Sequence, residues 1–208
     1  MDEISKFEEF DRPTTPYLSD KEVFTKIWTR PREVFEFILK YGYEKYKILL
    51  LFLAGASSSI DNVIEKHSEY SLIMIIGIGL LVGGLIGWIF IYIYAALVSW
   101  IGSWMDGKSD TEKIFSVFIY AAIPGIFSLI FIIINHLLSK NFEDDFFFGI
   151  LIIITSGIYI VLNIWGMILN IIGVACAQKF PWWKALINLL LPAILIGIPI
   201  VLIFFAIR

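Results

Sequence analysis

Residues 72–105 read LIMIIGIGLLVGGLIGWIFIYIYAALVSWIGSWM, 34 residues whose only polar side chains outside the aromatic rings are Ser99 and Ser103. As an α-helix rising about 1.5 Å per residue the run is about 50 Å long, against a bilayer hydrocarbon core of about 30 Å. It therefore crosses a membrane and continues into the interface, where Tyr92, Tyr94, Trp100 and Trp104 suit the headgroup level. Gly79, Gly83 and Gly87 recur every fourth position, with Gly84 beside them. One helix face thus lacks side chains, and a second helix can approach it closely. Glycines scattered in an apolar run more often mean adjustable packing, but two GxxxG steps in tandem favour a helix–helix seam.

The rest of the chain has the same character. With 59% hydrophobic and 17% charged residues in 208, it is too apolar for a water-soluble domain of that size. The charges cluster: residues 1–47 hold nine of the sixteen Lys and Arg and ten of the nineteen Asp and Glu. No apolar run in the first 45 residues resembles a secretory signal. Cys176 is the only cysteine, which excludes internal disulfides and cysteine-rich metal sites. No basic patch interleaved with aromatics points to nucleic acid.

Residues 1–26 are polar and mixed in charge, with Pro13 and Pro16, and read as a loosely attached tail; the polar cytoplasmic segment is drawn as 1–30. Over 31–47, Val34, Phe37, Ile38 and Tyr41 keep helical spacing while most charges fall elsewhere, and Pro31 suits a first turn. This is an amphipathic helix that either lies on the membrane surface or packs on its own bundle. The membrane domain, 31–208, then offers spans at about 46–64, 72–105, 114–138, 146–177 and 185–207. The first is the weakest, because 48–60 carries Ser57, Ser58 and Ser59 and is followed by Asp61 and Asn62. Pro124, Pro192 and Pro199 predict kinks. Five crossings put thirteen Lys and Arg on one side and three on the other, and four crossings give twelve and four. Both place the N-terminus in the cytoplasm, and five crossings place the C-terminus outside. The fold class is all-α, a polytopic membrane helical bundle of five transmembrane helices with an N-terminal amphipathic helix.

The fourth span carries the most informative polar pattern. Gly149, Ser156, Asn163, Asn170 and Ala177 are seven apart and share a face, with Tyr159, Gly166 and Gly173 beside it. Asparagine in hydrocarbon is costly unless paired, so this face points into the bundle, as interhelical hydrogen-bond glue or as the lining of a polar pathway. Glue is the commoner role, and no ionisable residue falls at the centre of the span. Gly166 and Gly173 join Gly79, Gly83 and Gly87 as packing positions, and Asn135 and Asn188 join Asn163 and Asn170 as intramembrane polar groups. His67 and His136 have no second ligand at metal spacing. Glu143, Asp144 and Asp145 read as a solvated loop, and no Ser/His/Asp set assembles.

Several stretches carry a family likeness. Trp28-Thr29-Arg30-Pro31-Arg32 ahead of the first span, the loop Asp106-Gly107-Lys108-Ser109 and the following Tyr120-Ala121-Ala122-Ile123-Pro124 resemble bacterial Yip-domain proteins. So does the Trp165 helix leading through Gln178-Lys179-Phe180 to Lys184-Ala185-Leu186. The resemblance runs from Trp28 to the C-terminus and implies a five-span bundle with a cytoplasmic N-terminus and no enzymatic activity. Eukaryotic members associate with Rab-type GTPases in early secretory traffic. Here the Asp-Leu-Tyr-Gly-Pro motif is absent and the Gly-Tyr motif is only echoed by Ile119-Tyr120. That departure points to a bacterial inner-membrane member, to which a Rab-type partner does not carry over. The expectation is a non-enzymatic membrane organiser or partner-binding scaffold without catalytic, cofactor or metal residues. Its partners would be membrane lipid, a protein or a second copy of itself. The competing expectation is a small channel, transporter or lipid-translocating protein that uses the polar face of the fourth span.

Overall fold

The computed structural model describes residues 17–67, 69–141 and 146–207, with side chains at all of these except 141 and 196–207. Every regular element among them is helical: α1 (Asp20–Lys26), α2 (Pro31–Tyr41), α3 (Lys47–Lys66), α4 (Leu72–Trp104), α5 (Thr111–Ala121), α6 (Ile123–Asn141), α7 (Phe146–Gln178) and α8 (Trp182–Ile207). Four stretches are long and apolar enough to cross a membrane: α3, α4, α5 with α6 as Thr111–Lys140, and α7. The part of α8 with described side chains adds the shorter apolar helix Trp182–Leu195. The chain is therefore an all-helical membrane bundle, as its composition requires. Lys108, Lys113, Lys179 and Lys184 gather at the end that carries α2, and Lys66 and Lys140 lie at the opposite end, where Lys140 Nζ donates to the Tyr70 carbonyl at 3.3 Å.

The polar segment corrects the sequence reading. Residues 17–30 are part of the bundle: Leu18, Val23 and Ile27 are buried in its core. A capping box starts α1, since the Ser19 hydroxyl accepts the Glu22 N–H while the Glu22 carboxylate accepts the Ser19 N–H. Leu18 and Val23 flank that box at the two positions of a hydrophobic staple. Residues 1–16, with Pro13 and Pro16, lie outside the described residues.

The amphipathic helix also ends earlier than expected. Gly42, at φ 61°, closes α2 at Tyr41, with the Gly42 and Tyr43 N–H groups both turned back to the Ile38 carbonyl. Val34, Phe35, Phe37 and Ile38 are buried, and Phe35 packs over Gly173 of α7. Of the two placements the sequence leaves open, α2 takes the one against its own bundle.

The turn after Gly42 is tied to α1 by Asp20, whose carboxylate accepts from Tyr43 Oη at 2.8 Å, from Tyr46 Oη at 3.2 Å and from the Lys45 ammonium. Lys45, with Tyr43 next, holds the Asp20 carboxyl below its ordinary value of 3.8. A depressed carboxyl stabilises the fold above its unfolded pKa, and that stabilisation is lost as pH falls from about 4 through the lower folded value. Hydrogen exchange in α1, corrected for intrinsic rates, should therefore be faster in Asp20→Asn than in the wild type at pH 6. The gap should narrow as pH falls below about 4; a gap of the same size at pH 6 and pH 3 would show that the charge of Asp20 contributes nothing.

Candidate functional site

Three places gather the chemistry-bearing residues. The first is the contact between α3 and α4. A methyl group built on Gly83 would overlap the Gly55 carbonyl oxygen, and one on Gly87 would lie 2.8 Å from the Gly55 Cα. Gly79 faces Ile60, and Gly84 faces the Phe52 ring. The partner of the glycine face is thus α3. Gly79–Gly84 is a π-helical segment set within α4 at this crossing; such segments spend an extra residue per turn and often mark functional sites. On α7, Gly173 meets Val117 and Phe35, and Gly166 lies 3.6 Å from the Ala121 carbonyl, each distance taken from an added Cβ.

The second place is a polar cavity of about 180 Å³ between α3, α6 and α7, lined by Ser57, Ser58, Asp61, Ser128, Tyr159 and Asn163 among others. Tyr159 Oη donates to the Asp61 carboxylate at 2.7 Å, and Ser57 Oγ and Ser128 Oγ both donate to the Gly125 carbonyl, at 3.0 and 2.8 Å. That carbonyl lies just beyond the break at Ala122 where α5 gives way to α6, beside Pro124. Sequence reasoning treats Asp61 as the polar end of a weak span. Its signal is its place one turn after Ser57 and Ser58, which puts all three toward the same side of α3.

The four asparagines divide into two kinds. Asn135 bridges helices, with its amide donating to Ser156 Oγ at 3.0 Å and its carbonyl oxygen accepting from Thr155. Asn188 is buried and donates to the Val98 carbonyl at 3.1 Å, joining α8 to α4, as the Tyr94 hydroxyl does through the Leu189 carbonyl at 2.6 Å. Asn163 and Asn170 instead donate to carbonyls one turn back on α7, Tyr159 and Gly166, both at 2.9 Å. Asn163 reaches Ser128 only at 3.4 Å. Their hydrogen bonds are spent mainly within α7, as helical side chains that reach back to a preceding carbonyl can do. Asn170 borders a larger, mostly apolar cavity of about 550 Å³, with Phe90, Tyr94, Phe118, Met167 and Leu189.

The third place is the end of the bundle where the loop at 105–110 meets the turn between α7 and α8. Gln178, buried, accepts the Ser109 N–H at 3.0 Å through Oε1, and its backbone carbonyl accepts the Lys108 N–H at 3.3 Å. Methyl groups at Gly102 or Gly107 would overlap its amide, so both glycines make room for it. Lys184 closes the corner through the Met105 carbonyl. In the sequence these stretches stand apart, because a glutamine at a helix end carries no spacing signal that would join them. His136 is buried and His67 stacks on Tyr70 at 4.8 Å; among the described residues no group of three His, Cys, Asp or Glu gathers for a metal. Glu143, Asp144 and Asp145 lie outside the described residues.

Comparison with known proteins gives one match. The family model for the Yip1 domain aligns with residues 25–204, which takes in α2 to α7 whole and most of α8. No curated protein and no solved structure matches. The match covers far more than half of the chain, so the protein belongs to the Yip1-domain family.

Proposed function

We propose that the protein is a non-enzymatic scaffold of the Yip type, crossing a bacterial inner membrane five times with its N-terminus in the cytoplasm and its C-terminus outside. Its cytoplasmic face would serve as a platform for a protein partner or a second copy. The lysines gathered at the α2 end support this orientation. The observation that carries the scaffold reading is where the polar lining stops. The polar cavity and the larger one share only Ala54 and Ala122, and beyond them the wall is apolar but for Tyr94 and Asn170, whose polar groups are bonded to the Leu189 and Gly166 carbonyls. A hydrated solute path needs polar partners along its length. The locked corner at Gln178 supports a rigid face rather than a moving gate.

One observation favours the second reading, a lipid-translocating protein: Asp61 and Asn163 border a polar pocket that adjoins an apolar one, as a headgroup and its chains would require. Reconstituted vesicles separate the two. Wild-type protein should leave ion leakage and lipid scrambling at protein-free background. Asn163→Leu and Asn170→Leu should lower thermal stability by roughly 0.6 kcal/mol or less, because little interhelical bonding is lost. Wild-type transport that Asn163→Leu stops in a folded protein would overturn the scaffold reading.

A further inference from the structure

At the lysine-rich end, α2, the 105–110 loop and the end of α7 enclose a concave basin of about 630 Å³. Arg32 and Lys40 of α2, Lys108 of the loop, Lys113 of α5 and Lys179 after α7 line it, and Glu36 is the one carboxylate in the lining. Two of these cations are already engaged: Arg32 Nε lies 3.0 Å from Glu36, and Lys113 Nζ lies 2.7 Å from Asp110 at the rim. Lys40, Lys108 and Lys179 are exposed and make no ion pair among the described residues, though Lys40 lies 5.4 Å from the centre of the Tyr41 ring. Five cations against two carboxylates leave a concave surface with an excess of three positive charges. Such a concavity concentrates the field on whatever anion enters it.

Two further features give the basin its character. Its apolar wall, Leu39, Ala175, Ala177 and Phe180, is the end of α7 and the adjoining face of α2. It therefore sits where a spanning helix leaves the hydrocarbon. Lys179 holds φ 61°, the left-handed conformation that a helix normally gives to glycine at this position. The chain keeps a lysine there at a backbone cost. Attraction to the α7 carbonyl terminus accounts for a lysine beside it, but not for Arg32 and Lys40 on a different helix.

We propose that this basin binds the phosphate of an anionic lipid headgroup, held by Lys40, Lys108 and Lys179, with the acyl chains passing down into the adjoining leaflet. Basic pockets at the ends of spanning helices suit this chemistry. The site goes beyond the scaffold reading and does not depend on what the α3–α6–α7 cavity does.

The test uses the full-length protein in detergent with equal phosphatidylglycerol and phosphatidylcholine, with retained lipid read by native mass spectrometry. Wild type should retain phosphatidylglycerol preferentially, each lysine near the surface contributing a factor of about five. Lys108→Gln combined with Lys179→Gly should cut the preference about 25-fold, leaving only the share of Lys40. Because glycine relieves the positive φ, the double variant should melt no lower than wild type, which separates lost binding from lost fold. Lys66→Gln at the opposite end should change nothing. Equal retention of both lipids by wild type, or an undiminished preference in the double variant, would overturn the proposal. Displacement of phosphatidylglycerol by millimolar inorganic phosphate would overturn the lipid assignment in favour of a soluble phosphate ligand.

Discussion

Replacing Gly83 with leucine should largely abolish the folded yield in detergent, while Gly77→Ala should leave it unchanged. Both are glycines of the same helix, six residues apart, in equally apolar sequence. At Gly77 an added Cβ has nothing within 4 Å. At Gly83 it would overlap the Gly55 carbonyl oxygen, lie 2.7 Å from the carbonyl carbon and come within 2.5 Å of Ser59 Cβ. The obstacle is mainly backbone, which has no rotamer to change, so α3 and α4 must separate. Overpacking typically costs about 1–3 kcal/mol, and a leucine inserted between two backbones belongs at the upper end. Leu81→Ala is a second control, since Leu81 is 65% exposed and loses little packing. Equal folded yields for the Gly83 and Gly77 variants would remove the close contact.

Phe35→Ala should loosen α1 and α2. Phe35 is fully buried under the bundle, its ring 3.2 Å from where a Cβ on Gly173 would stand. Truncating a buried phenylalanine costs about 3–5 kcal/mol. The measurement is trypsin cleavage after Lys26 and Arg32 in reconstituted protein, which should accelerate strongly. The ion pairs there, Lys26 with Glu33 at 2.8 Å and Arg32 with Glu36 at 3.0 Å, are partly exposed and too weak to hold the segment alone. If α2 instead rested on lipid, the variant would weaken vesicle attachment of the segment while leaving the melting of the bundle unchanged.

The apolar spans are legible in the sequence because a membrane helix must be apolar along its length, a demand that survives without knowledge of any neighbour. What lies opposite each span is not legible in the same way. Gly79, Gly83 and Gly87 mark a face by their spacing, but Gly55 is a single glycine in the run Leu53-Ala54-Gly55-Ala56-Ser57, and nothing local distinguishes it. Ser19 and Glu22 are a readable capping signal that the charge of the surrounding segment hides. Leu18, Val23 and Ile27 are too few to show a helical period over seven residues. The pairing of Asp61 with Tyr159 spans 98 positions, and such contacts arise only from tertiary packing. The heptad of Ser156, Asn163 and Asn170 marks a face that is polar by composition, yet spacing cannot say whether an amide reaches a neighbouring helix or bends back to its own carbonyl.

The π segment at Gly79–Gly84 divides α4 into two halves that keep separate phase. Each residue of an α-helix turns the chain by about 100°, so an extra residue absorbed between the halves rotates one against the other. Ile75 in the first half and Ala95 in the second are both buried, though twenty residues of uninterrupted α-helix would set them about 160° apart. α4 is therefore two α-helical rods of different phase, joined where the helix crosses α3. The π segment and the half beyond it lie against α3 through Gly83 and Gly87, while Tyr94 and the Val98 carbonyl of that second half meet α8, so one helix serves two partners in turn along its length.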